Sequence, residues 1–111
     1  MIDFIELELI VFHDIPVKNL NIINGVSKNL VLEMFLYDED IQDYIDKTII
    51  FGEINHINPE NIYIENFNEL EIYSFDYYLM KNFFHGNLKL LLGLNKPDFN
   101  IEFSCKTVKV K

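Results

Sequence analysis

Three histidines are the residues of this chain best suited to metal or acid–base chemistry. They are His13, His56 and His85, and 18 carboxylate side chains accompany them. The close ligand spacing of a structural zinc site is absent, but strand-rich proteins also assemble ligands from distant positions. One hypothesis is therefore a small enzyme or metal-binding protein in which these three histidines converge in one pocket.

Other reactive side chains give catalysis no support. The dipeptide His13-Asp14 matches a metal-ligating pair of certain helical phosphohydrolases, but those sites need another histidine upstream, and none precedes His13. Cys105 shares the parity of Ile101 and Phe103, which predicts a buried and unreactive thiol. No serine stands in a G-x-S-x-G motif, and the four glycines are scattered singly. These patterns predict a protein that is not an enzyme and that holds no cofactor and no metal.

Charge is unevenly distributed along the chain. The first 80 residues carry 16 acidic residues against three lysines, whereas residues 81–111 carry a net charge of +4, and arginine is absent. Phosphate recognition relies on lysine and on the bidentate fork of arginine, so we expect no direct binding of nucleic acid. The composition favours a basic protein partner, although acidity also keeps a small domain soluble.

Alternating apolar residues predict how the chain begins. A first strand is predicted over residues 2–12, since residues 5, 7, 9 and 11 are all apolar. The corner Phe12-His13-Asp14-Ile15-Pro16 then turns the chain into a second strand beginning at Val17. We expect the corner to have a scaffold role, because aspartate bonds to turn N–H groups and proline stiffens the exit. Asn24-Gly25 predicts a turn, and residues 28–37 predict a central strand buried on both sides.

Five acidic residues lie within the nine-residue segment 38–46, where the sequence predicts a solvated loop or a short helix. A calcium loop is excluded, because the sixth and twelfth positions of the EF-hand pattern hold Asp43 and Ile49. Tyrosine beside such charges suits a protein interface, since its ring gives rigid contact area with a polar tip. The predicted partner-binding residues are Tyr37, Asp38, Glu39, Asp40, Asp43, Tyr44 and Asp46.

The second half of the chain predicts further short strands. In the strand predicted over 48–54, Gly52 marks a bulge or a close backbone approach. A turn at 58–61 and short alternating runs at 62–64 and 70–72 follow. Residues 75–84 favour a short helix or an irregular excursion, and His85-Gly86-Asn87 predicts a turn. The runs 88–94 and 99–110 predict the last strands, with a turn at 95–98, a β-bulge near Lys106-Thr107 and solvent-facing lysines that discourage edge pairing.

The predicted fold is mainly β and comprises a single domain over residues 1–111. We expect an antiparallel sandwich or a strongly curved sheet of about eight strands, with one or two short helical segments. No apolar run approaches the ~20 residues of a membrane-spanning helix, and no signal peptide is evident. A single cysteine suits the cytoplasm, and the sequence leaves a homodimer open.

Several short motifs resemble a family of small bacterial proteins. They are Phe12-His13-Asp14, the Leu20–Ile22 run, Phe51-Gly52-Glu53-Ile54, and Ile101-Glu102-Phe103 with Val108 and Val110. The chain resembles the immunity proteins of polymorphic toxin systems and their many uncharacterised relatives. That resemblance implies a β-rich fold and inhibition of a toxin by binding, with no catalytic residues. Phe12, His13, Asp14, Pro16 and Gly52 are then structural motif residues.

The sequence therefore predicts a non-enzymatic protein-binding module, an immunity protein that neutralises a toxin domain through an acidic surface. An alternative is a phage- or plasmid-encoded inhibitor whose acidic side chains imitate DNA phosphates. That alternative predicts one ordered stripe formed by the acids of 38–46 with Glu60, Glu65, Glu69 and Glu71. The three-histidine enzyme or metal protein is the second alternative.

Overall fold

The structure is a computed structural model, and it describes residues 1–59, 63–65, 70–91 and 98–111. It is mainly β, as predicted, with a single one-turn helix in the described residues. Six strands have nine or more residues and a seventh has three, so the expected count of about eight was too high. The elements are α1 (Phe4–Glu8), β1 (Ile15–Asn24), β2 (Lys28–Asp38), β3 (Asp43–Asn58), β4 (Tyr63–Glu65), β5 (Glu71–Met80), β6 (Phe83–Leu91) and β7 (Asp98–Val110).

All strand pairs in the described residues are antiparallel and belong to one sheet. Pairing runs from β1 to β2, β3, β7, β6 and β5, and it returns to β1 through Ile15↔Ile72 and Pro16↔Glu71. The short β4 adds to β1 beside Asn19–Asn21. The strands predicted from Val17 and over residues 28–37 are confirmed as β1 and β2, which pair through a turn after Asn24.

The core lies on the inner face of the sheet, where apolar side chains of all six long strands are buried. Phe51 is at its centre, with ring centroids 4.7 Å from Phe103, 5.6 Å from Phe75 and 5.9 Å from Phe84. Aromatic pairs at these distances add stabilisation beyond the area they bury. No described helix is long and apolar enough to cross a membrane.

The strand predicted over residues 2–12 is wrong. The chain forms α1 there, and of the alternating set only Leu7 is buried, while Ile5, Leu9 and Val11 are exposed. Phe4 and Leu7, one helical turn apart, contact the core instead. A helix of five residues is too short to produce a recognisable 3.6-residue period, whereas the accidental alternation looks like a strand. Consequently the corner at 12–16 leads from a helical segment into β1 and does not join two strands.

The prediction for β2 is only partly confirmed. Its even positions Leu30, Leu32 and Met34 are fully buried, as expected. The opposite side is half-buried at Val31 and Phe35, so the strand is not buried on both sides. The outer face of β2 has no second layer of described residues over it, which explains the difference.

Residues 75–84 form a hairpin, not a short helix. Strands β5 and β6 pair from Glu71 to Met80, and the turn is Lys81-Asn82, both with positive φ (53° and 66°). Two residues of this conformation match the right-handed twist of a hairpin. The turn predicted at His85-Gly86-Asn87 is also wrong, since these residues lie inside β6. A Cβ on Gly86 would lie 2.6 Å from the Phe103 ring, so glycine here serves close packing.

Strand β7 buries the predicted residues Ile101, Phe103 and Cys105. The next buried residue is Val108, so the predicted switch from odd to even inward positions is confirmed. The register irregularity is in the partner strand, between Ile54 and His56 of β3, rather than at Lys106-Thr107. Lys106, Lys109 and Lys111 are exposed as predicted. They do not protect an edge, however, because β7 lies between β3 and β6.

Some predictions fall outside the described residues. They are the turn at 58–61 beyond Pro59, the strand end at 92–94 and the turn at 95–97. Of the proposed DNA-mimicking stripe, Glu60 and Glu69 and the side chain of Glu65 also lie there.

Candidate binding surfaces

The predicted acidic segment forms the turn of the β2–β3 hairpin, and we call residues 37–46 the hairpin tip. It is neither an open loop nor a helix, since Tyr37 pairs with Tyr44 and Asp38 with Asp43. The turn is held locally: the Asp40 N–H donates to Asp38 Oδ1 at 2.9 Å. An aspartate that accepts a backbone N–H two residues on is a common turn-forming device. The acidic residues of the tip therefore also shape it.

Aromatic side chains are exposed beside these acids. Tyr37 and Tyr44 are 55% and 56% exposed, and their rings meet edge to face with centroids 5.4 Å apart. Ile41 at the turn is 60% exposed. Asp46 forms an exposed ion pair with Lys18 at 3.2 Å. All seven predicted partner-binding residues thus lie in the hairpin tip, which is both acidic and aromatic. The tip projects from the sheet, because β1 pairs with β2 only as far as Met34 and β7 pairs with β3 only from Ile49.

The corner holds the N-terminal segment against β5. His13 Nδ1 lies 3.1 Å from the carbonyl oxygen of Tyr73, and its Nε2 lies 3.1 Å from Asp14 Oδ2. Both ring nitrogens thus lie beside oxygen atoms of the chain. The Phe12 ring packs edge to face on Phe75 at 5.0 Å. Asp14 has φ 55°, a conformation in which aspartate is enriched among residues other than glycine.

Gly52 and Pro16 contribute through the backbone. A Cβ on Gly52 would overlap Thr107 Oγ1, so the predicted close approach is confirmed. Pro16 opposes Glu71 in the short β1–β5 pairing. These contacts, like those of the corner, join parts of this chain to one another.

The three histidines do not converge. His56 and His85 line one cavity, whereas His13 lies at the corner, outside it. Among the residues that the structure describes, no group of histidine, cysteine or carboxylate side chains is arranged to hold a metal ion. The arrangement required by the three-histidine hypothesis is therefore contradicted.

The cavity that His56 and His85 share is the outer-face pocket, of about 540 Å³, on the outer side of β3, β7, β6 and β5. Its polar lining residues are His56, Asp76, Tyr78, His85, Asn87, Glu102 and Ser104. Strand register explains the grouping. One row across the sheet is His56, Ser104, His85 and Tyr78, and the next is Glu102, Asn87 and Asp76.

One ring contact and two polar groups define the chemistry of the outer-face pocket. The Tyr78 and His85 rings stack with centroids 4.9 Å apart and planes 10° apart. Asn87 Oδ1 is buried and has no hydrogen-bond partner. Ser104 is buried between the histidine strands, but no hydrogen bond joins its hydroxyl to either imidazole in the described chain. A serine without such a base is not an activated nucleophile.

Cys105, the residue after Ser104, points to the other side of β7. Burial raises the pKa of its thiol to about 12, a shift only partly opposed by a backbone hydrogen bond of Thr107. The thiol also donates to the Thr107 carbonyl at 3.4 Å. The thiol is therefore inert, in agreement with the sequence-based expectation for a core cysteine.

Sequence reasoning missed the outer-face pocket. The available signal was the polar alternation of residues 74, 76 and 78, of 85 and 87, and of 100, 102 and 104. Its meaning depended on recognising the β5–β6 hairpin, which places these residues on one face. Comparisons with protein families, with curated proteins and with solved structures find no match to this chain.

Proposed function

We propose that this protein is a non-enzymatic binding module that engages a basic protein partner through the hairpin tip. The observation that carries the proposal is the exposed Tyr37–Tyr44 pair surrounded by acidic side chains. Exposed tyrosines give contact area at small entropic loss, and acidic neighbours steer a basic partner and reject acidic ones.

The partner class we propose is a bacterial toxin domain, with the protein acting as its immunity protein in the cytoplasm. The support is the Phe12-His13-Asp14 corner and the other short motifs that resemble such proteins, together with the net charge of −9. Binding alone is sufficient for this role, because covering a toxin's active surface abolishes its activity without chemistry by the inhibitor.

We also infer that the six long strands form one strongly curved sheet rather than a two-layer sandwich. The support is the continuous series of pairings that leaves β1 for β2 and returns to it from β5. A sheet that closes on itself has no long unpaired edge, so a partner is met by side chains rather than by an added strand.

Co-purification with the product of the adjacent gene tests the proposal. We expect the C-terminal domain of a toxin encoded immediately upstream to co-purify with this protein, and co-expression to protect cells. Failure to bind that domain, or failure to protect, would overturn the immunity function.

Matched tyrosine variants then test the surface. Tyr37→Ala with Tyr44→Ala should weaken partner binding by at least about 30-fold, the effect of losing one interface hot spot. Tyr73→Ala is the control, since Tyr73 is 43% exposed and also has a ring partner, His13, but lies outside both the tip and the outer-face pocket. An equal loss of partner affinity in the tip variant and in the control variant would exclude the tip as the interface.

A further inference from the structure

We propose that the outer-face pocket binds a guanidinium group, because two unpaired carboxylates and a buried orphan acceptor lie beside a stacked aromatic pair. The surface is separate from the hairpin tip. The pocket meets β3 only at His56, near its end, and its other lining residues lie on β5, β6 and β7, whereas the tip is at the first residues of β3. The site is therefore independent of the proposed partner surface.

The acceptors are arranged in one row. Asp76 is the register partner of Asn87 on one side, and Glu102 is its partner on the other. Neighbouring strands are about 4.8 Å apart, which places the two carboxylate-bearing residues roughly 10 Å apart with the amide between them. A single planar cation lying over Asn87 is then within reach of both carboxylates.

In the part of the chain that the structure describes, no cationic side chain pairs with these acceptors. Neither Asp76 nor Glu102 takes part in an ion pair within the described residues. Lys89 is the next residue outward on β6, but its Nζ lies 5.5 Å from the Tyr73 ring centroid and it does not line the pocket. The lining thus carries two negative charges and no lysine.

Asn87 shows a direct need for a donor. Its Oδ1 is buried without a hydrogen-bond partner in the described chain, and an unsatisfied buried acceptor destabilises a protein. A ligand N–H that reached this oxygen would remove that penalty. Binding of a donor-rich group is therefore favoured over binding of an anion, which the two carboxylates would repel.

The aromatic wall distinguishes guanidinium from ammonium. The Tyr78 and His85 rings stack face to face beside the acceptor row, so each ring covers one face of the other and keeps one outer face. Guanidinium is planar, stacks on aromatic faces and offers five donors in a fixed fork, whereas ammonium is a compact and strongly hydrated point charge. Both the wall and the row of acceptors match the planar group better.

Titration calorimetry with N-acetyl-arginine amide, followed by ¹H–¹⁵N spectra, tests the proposal. We expect a dissociation constant of about 1 mM, typical of one small group, with amide shifts confined to β3, β5, β6 and β7. N-acetyl-lysine amide should bind several-fold more weakly, and the uncharged N-acetyl-citrulline amide should not bind. Equal binding of the citrulline and arginine compounds would overturn the proposal.

Charge-matched variants separate the site from general acidity. Asp76→Asn with Glu102→Gln should weaken binding of the arginine compound at least tenfold. Glu39→Gln with Asp40→Asn removes the same charge from the hairpin tip and should leave its affinity unchanged. Equal weakening in both proteins would overturn the site, since it would show a long-range charge effect.

Aromatic variants and a second ligand complete the experiment. Tyr78→Phe should keep the affinity for the arginine compound, and Tyr78→Leu should lower it several-fold. Equal affinities of the two variants would show that the ring of residue 78 does not take part in binding. Agmatine carries the same group as a free small molecule. Tighter binding of agmatine would identify a small molecule as the ligand. Tighter binding of N-acetyl-arginine amide would identify an arginine side chain as the ligand. Absence of binding by both would overturn the proposal.

Discussion

The two ends of β3 carry surfaces of similar composition and opposite shape. At the first residues of β3 the hairpin tip projects, with acids and two tyrosines on a turn that its own aspartates stabilise. At the last residues the outer-face pocket is concave, with two carboxylates and one tyrosine spread over neighbouring strands. A projecting surface suits a broad protein partner, and a concave one suits a single chemical group. Shape, rather than residue type, separates the two roles.

Removal of the Phe51 ring from the centre of the core has the largest expected effect on stability, and it tests whether the two surfaces belong to one fold. Phe51→Ala should lower the free energy of unfolding by about 3–5 kcal/mol, because Phe51 is fully buried and touches three other rings. Urea unfolding followed by tip and pocket NMR signals checks the result. Both sets should vanish at one midpoint, and separate midpoints would show that the two surfaces do not share one cooperative fold.

The next largest expected effect is on the rate of chemical modification of Cys105, whose thiol lies beneath the pocket. Cys105 has its pKa raised from 9.0 to about 12 by burial, so at a pH below 9.0 its thiolate fraction is about a thousandfold lower in the folded protein than in the unfolded chain. A disulfide reagent should therefore modify the native protein at a correspondingly reduced rate, and the urea-unfolded protein rapidly. Rapid native modification would mean that the sheet opens behind the pocket.

The same thiol predicts a pH dependence of stability. The folded state holds the proton more tightly than the unfolded state, so the contribution to stability is complete below pH 9.0 and is lost as the pH rises toward 12. A Cys105→Ser variant should lack this alkaline component when unfolding is measured across that window. An identical alkaline profile in both proteins would assign the loss to other groups.

Loss of the tip tyrosines should change stability little. Tyr37→Leu with Tyr44→Leu removes a cross-strand aromatic pair that contributes about 0.5–1 kcal/mol. Chemical denaturation measures this difference, and single variants in a double-mutant cycle isolate the ring contact. A loss as large as that of Phe51→Ala would make the tip part of the fold rather than an appended surface.

The smallest effect is expected at the ion pair beside the tip. Lys18→Met should lower stability by at most about 1 kcal/mol, because Lys18 and Asp46 are both partly exposed and water screens their attraction. The difference in stability between the Lys18→Met variant and the unsubstituted protein should shrink further as salt is added. A difference that grows with salt would contradict an electrostatic origin.

The contrast between the two surfaces also explains what could be predicted from the sequence. The hairpin tip is contiguous, so its acids and tyrosines are visible as one segment before any strand is placed. The pocket joins His56, Asp76, His85 and Glu102, and strand register alone brings them together. Register depended on the β5–β6 hairpin, whose Lys81-Asn82 turn lacks glycine and follows an apolar spacing that also fits a helix. One missed turn therefore concealed the whole pocket.

The N-terminal segment ties the two ends of the chain to each other. Ile2 bridges Val108, the Asp3 N–H donates to the Val108 carbonyl at 3.0 Å, and Asp3 Oδ2 accepts the Val110 N–H at 3.0 Å. During synthesis, therefore, the groups of residues 1–3 that pair with β7 have no partner until residues 108–110 have been made. Chain synthesis proceeds at about 5–20 residues per second. For several seconds these contacts are missing, although Phe4 of α1 can already pack on Phe84 of β6.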